Sequence, residues 1–183
     1  ALSGVEVAEG GDTRMLKCAI HDNNQDGVFM YANGRGTFSK CDIHRNTHAG
    51  VTVEEGAEPQ MKECVIHDNK QDGVAVGKDG LGAFTKCEIH SNAMSGAWTT
   101  AGGNPQIQEC IIHNNKENGV LVFKDGCGAF TKCDLYGNGW NGAIVIEGCR
   151  GAQLIDCSIR ENGKHVVGKC FCGRELEEMK AEA

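Results

Sequence analysis

The sequence predicts an all-β solenoid, wound from about seven coils of 23 residues. Three observations carry that expectation. Cys18, Cys41, Cys64, Cys87, Cys110 and Cys133 stand 23 residues apart, and Cys157 follows after 24. An Asn lies five residues past every one of them: Asn23, Asn46, Asn69, Asn92, Asn115, Asn138 and Asn162. A Gly lies nine residues past the first six: Gly27, Gly50, Gly73, Gly96, Gly119 and Gly142. A fixed period in this range marks units that bury their apolar face only against their neighbours.

Each position of the repeat has a structural meaning. Ile or Leu stands two residues past each Cys (Ile20, Ile43, Ile66, Ile89, Ile112, Leu135, Ile159), the alternation of a strand with one face inward. The Asn marks a turn, because Asn tolerates left-handed backbone, and identical Asn side chains one rung apart can form a hydrogen-bonded ladder. A second short strand follows, with Val28/Met30, Val51/Val53, Val74/Val76, Ala97/Thr99, Val120/Val122 and Ala143/Val145 inward. After a Gly-rich corner comes one more apolar position: Met15 or Leu16, then Phe38, Met61, Phe84, Ile107, Phe130 and Leu154. The Phe residues recur every 46 residues with aliphatics between them, which fills one core row without overcrowding and makes a pair of coils the unit of duplication. The β-helix is expected over residues 1–168, starting mid-coil without a cap. A tail over 169–183 carries a short capping helix, with Leu176 and Met179 on one side.

Composition narrows the function. A formal net charge of −7 with scattered Lys and Arg disfavours nucleic acid, which needs a basic stripe. No apolar run approaches the length of a membrane span, and the amino end shows no signal-peptide pattern. Seven of the 11 cysteines hold one equivalent repeat position, which reads as a row of small, reduced, buried side chains and hence a reducing intracellular compartment, the cytoplasm or an organelle interior. Cys127, Cys149, Cys170 and Cys172 stand outside that row. A zinc site from Cys149, Cys157, Cys170, Cys172 and His165 would lack paired Cys-x-x-Cys spacing.

In a coil stack each repeat position becomes a row of side chains about 4.8 Å apart, so function is sought by rows. The residue before each Cys alternates in sign from Lys40 onward and reads as a solvated, self-paired face. The row three past each Cys holds His21, His44, His67, His90 and His113, then Tyr136 and Arg160. It reads as neutral rings bonding turn backbone, with metal binding or pH sensing as the functional alternative. On the outward face of the second strand, positions that should be polar instead hold Phe29, Tyr31, Ala75, Trp98, Leu121, Phe123, Ile144 and Ile146, interrupted by Thr52, Glu54, Gly77 and Thr100. Such a stripe is expected to dock another protein, with no cofactor or metal.

The repeated Cys-x-Ile-His-x-Asn and Gly-Val-x-Val patterns resemble right-handed parallel β-helix repeats of the carbohydrate-binding and sugar-hydrolase type. They also resemble the β-helix of F-box ubiquitin-ligase receptor proteins. The likeness covers about residues 4–168, and no F-box is visible. It implies a right-handed coil and, by the F-box comparison, substrate recognition. Pectate lyases, polygalacturonases and alginate epimerases share the fold. Their chemistry needs a compact group of acids, and Asp42, Glu88 and Asp134 recur only on alternate coils. The expectation is therefore a non-catalytic interaction scaffold or accessory structural subunit of a larger assembly, docking through the stripe. The alternative is a carbohydrate-binding or polysaccharide-modifying protein that uses the same aromatics as sugar-stacking platforms.

Overall fold

The structure is a computed structural model and describes residues 2–146 and 151–163. It is a parallel β-solenoid of three seven-stranded sheets, each strand pairing with its counterparts one coil away. The first sheet holds the strands that follow each Cys, from Ala19–His21 to Ser158–Arg160. The second holds the strands after the Asn turn, from Val5–Val7 to Ala143–Val145. The third holds the strands before the next Cys, from Asp12–Leu16 to Ala152–Ile155. The capping helix expected near residues 173–180, and Cys149, Cys170 and Cys172, lie outside the described residues. No helix among the described residues is long and apolar enough to cross a membrane.

The core consists of the inward rows. Ile43, Ile66, Ile89, Ile112 and Leu135 are fully buried along the first sheet, as are Val28, Met30, Val51 and Val53 along the second. On the third sheet Met15, Phe38, Met61, Phe84, Ile107, Phe130 and Leu154 stand side by side in strand register, so aromatic and aliphatic alternate as expected. Met15 is the inward residue there, and Leu16 is 65% exposed. The thiols of Cys64, Cys87, Cys110 and Cys133 donate to the carbonyls of Phe38, Met61, Phe84 and Ile107 at 3.4–3.6 Å. Cys87 is pushed up to about 12, first by its hydrogen bond with Cys110, so it holds its proton.

The Asn row forms a continuous ladder. Each Nδ2 donates to the next Oδ1 at 2.8–3.0 Å from Asn23 to Asn162. The Oδ1 also accepts the backbone N–H of the preceding Asn, as Asn92 does for Asn69 at 3.1 Å. One detail corrects the sequence reading. The left-handed residue in these turns is the one before the Asn: Asp22, Arg45, Asp68, Ser91, Asn114 and Glu161, with φ of 53–57°. The Asn itself serves the ladder, because its short amide carries both a donor and an acceptor along the axis. The Gly row is explained by close approach. A Cβ on Gly73 would lie 2.4 Å from Ile89 Cγ2 and 2.8 Å from Asn92 Nδ2.

Candidate functional site

Strand register aligns Glu6, Phe29, Thr52, Ala75, Trp98, Leu121 and Ile144 as one outward row of the second sheet. Two residues further along the strands, Tyr31 precedes Glu54, Gly77 and Thr100, with Phe123 and Ile146 beyond. The expected stripe is thereby divided. Phe29 and Tyr31 stack at 4.7 Å at one end, and Tyr31 donates its hydroxyl hydrogen to Glu6 at 2.9 Å. Trp98, Leu121, Phe123, Ile144 and Ile146 form a partly exposed apolar group at the other.

Between them lies an open groove of about 480 Å³. Its floor is Thr52 and Ala75, whose small side chains leave the space. Phe29 and Trp98 close its ends, three strand spacings or about 14 Å apart. One wall carries Asp26, Gln71 and Asp72, and the other Glu54, Lys78, Thr100 and Ala101.

The wall carboxylates are held in place. Asp26 Oδ1 accepts the Thr52 hydroxyl at 2.7 Å and the Ala49 amide at 3.2 Å. Asp72 Oδ1 accepts the Ser95 amide at 2.9 Å. Burial pushes the Asp72 carboxyl up to about 6, against the Ser95 hydrogen bond that favours its charged form. Lys78 meets Glu54 at 3.1 Å, which raises its proton affinity. Asp26 and Asp72 occupy one repeat position on alternate coils and were missed in the sequence. The available signal was the Asp-Gly pair at 26–27 and again at 72–73.

The outer face of the first sheet carries the histidine row as a stack. His21, His44, His67, His90 and His113 lie face to face at 4.9 Å, Tyr136 follows at 4.8 Å, and the Arg160 guanidinium sits 4.2 Å over Tyr136. The alternate-coil acids each reach the row one coil onward: Asp42 to His67 at 2.9 Å, Glu88 to His113 at 3.0 Å, and Asp134 to Arg160 at 2.7 Å. Asp68 holds the other His67 nitrogen at 2.7 Å. Arg45 beside Asp22 keeps that carboxyl well below the usual carboxylate range. Asp42, His44 and His67 bring three possible metal-ligand atoms within 4.8 Å of one another. The His44 and His67 ring planes are 17° from parallel, so their in-plane lone pairs run side by side instead of meeting at one ion.

Residues 3–162 match the model of the right handed beta helix region, and the chain belongs to that family. No curated protein matches the sequence. Among solved structures, the periplasmic alginate epimerase AlgG superposes with a TM-score of 0.73 at 14% identity, covering 80% of this chain and 39% of its own. The A-module of the Azotobacter vinelandii mannuronan C-5 epimerase AlgE4 gives 0.69 at 18% identity, covering 91% of this chain and 54% of its own. The pectate lyase Pel9A gives 0.65 at 18% identity, covering 91% and 52%.

These findings correct the expectation that the chain is not an enzyme. The alternate-coil spacing of Asp42, Glu88 and Asp134 argues against catalysis, yet this coil architecture is also found in polysaccharide-modifying enzymes. The identities are low, so the likeness fixes the fold, and the chemistry must be read from the side chains.

Proposed function

We propose that this chain acts on polysaccharide, holding a run of sugar rings in the groove between Phe29 and Trp98. The observation that carries the reading is the groove itself: an aromatic at each end, a floor of small residues and hydrogen-bonding side chains along both walls. Aromatic faces pack on the apolar face of a pyranose, and fixed carboxylates and amides orient its hydroxyls. The epimerase and lyase folds that this chain resembles support the assignment. Asp72 is the candidate acid–base group, since burial holds its proton affinity nearer to neutrality than that of an ordinary carboxylate.

The test is binding and turnover on a panel of soluble polysaccharides, measured by calorimetry and by analysis of the products. Trp98→Ala should weaken binding roughly tenfold or more. Asp72→Asn should weaken binding less than Trp98→Ala does and lose any turnover. A folded wild-type chain that binds no polysaccharide would remove the proposal.

The apolar group beyond Trp98 favours a second use of the same face. Leu121, Phe123, Ile144 and Ile146 continue past the groove, with Phe123 40% exposed, and would dock a partner protein. Leu121→Glu should then abolish partner binding and leave glycan affinity intact.

A further inference from the structure

We infer that the groove selects a neutral polysaccharide over a uronate polymer. The inference rests on the glycan reading above and names its substrate class. Around the groove three carboxylates, Asp26, Glu54 and Asp72, face a single ammonium, Lys78, and that ammonium is engaged by Glu54 at 3.1 Å. No arginine among the described residues lines it. Arg160 on the first sheet and Arg45 in the turn after it, which could clamp a carboxylate in bidentate fashion, are bound to Asp134 and Asp22.

A uronate ring would bring an anion into walls that offer it acceptors of its own sign. The formal net charge of −7 extends the unfavourable field beyond contact range. A neutral ring brings hydroxyl donors instead. Ionised carboxylates only accept, and the short hydrogen bonds to Asp26 and Asp72 all fall on Oδ1. Asp26 Oδ2 faces His48 Nδ1 at 3.9 Å, beyond hydrogen-bond distance, so it and Asp72 Oδ2 are the acceptors left for sugar hydroxyls, while Phe29 and Trp98 take the ring faces. The aligned solved structures act, by their names, on alginate, mannuronan and pectate; this groove shares their coil but has the opposite charge preference to that expected for such polymers.

The experiment measures affinity of the full chain for a mixed-linkage β-glucan, a galactomannan and a xylan, against alginate and polygalacturonate. Each uronate polymer is tried with calcium and with a chelator. At least one neutral polymer should bind, and both uronate polymers should bind at least roughly tenfold more weakly in either condition. An Asp26→Asn/Asp72→Asn variant should narrow that gap, and Trp98→Ala should weaken every glycan alike. Uronate polymers binding as tightly as the best neutral one, still dependent on Trp98, would overturn the inference and leave the groove assignment standing. Binding of no polymer by a chain with native circular dichroism would overturn both.

Discussion

Thr99 sits in an otherwise aliphatic row between Val76 and Val122, fully buried, with no hydrogen-bond partner for its hydroxyl. A buried, unpaired hydroxyl costs about 1–3 kcal/mol, and valine has nearly the same shape. Thr99→Val should therefore raise the urea midpoint by the equivalent of about 1 kcal/mol or more, with an unchanged slope. A lower midpoint would mean that the hydroxyl has a partner in solution. Trp98, on the opposite face of the same strand, was legible in the sequence because a large aromatic at an outward position stands out. Asp26 and Asp72 were not. Polar residues beside a turn glycine are ordinary, and their significance comes from Thr52 and Ala75 being small enough to leave a groove next to them.

The histidine stack is a property of the first sheet. Burial lowers the proton affinity of His44 and His90, and neighbouring rings add to the effect. As pH falls through the ordinary histidine value near 6.5, the unfolded chain takes up protons that the folded chain resists, so stability falls. Asp72 acts in the opposite direction: between about 4 and about 6 the folded state holds its proton more firmly, so stability rises as pH falls. An Asp72→Asn background removes that opposing effect, leaving the histidines together with Cys157, whose thiol the hydrogen bond with Cys133 brings down to about 7 and which acts in the same direction. The urea midpoint should then drop from about pH 7.5 to about pH 5.5, and His44→Phe should shrink the drop. A flat profile would show that the stack accepts protons freely. The row was legible from its spacing, as were Asp22 and Asp68 beside two of its rings, but its cross-coil acid partners were not. Asp42 and His67 are 25 residues apart, an offset that becomes contact only once neighbouring strands are stacked in register.

Across the whole molecule stability is close to a sum of coil-to-coil interfaces, so damage in the middle of the stack costs more than damage at its edge. Asn92 accepts from both the amide and the side chain of Asn69, and donates to Ile66 and Asn115. Asn92→Leu leaves several buried groups unpaired and should cost about 3 kcal/mol or more. Asn23→Leu, at the ladder's first rung, should cost about a third of that. Equal losses in chemical denaturation would show that the coils do not unfold as this neighbour-coupled array. The architecture was legible because one coil must repeat its inward residues to stack on the next. The function was less so, because the same repetition serves an inert stack and an enzyme alike. The alternation of Phe38, Phe84 and Phe130 with Met61 and Ile107 has a consequence for how this chain can change length. Deleting residues 41–63, one full coil, would set Phe38 directly against Phe84, two bulky rings where the core has room for one. Deleting two coils would restore the alternation, as would inserting two. Viable relatives of this chain should therefore differ in length by steps of 46 residues, a parity rule written into the core.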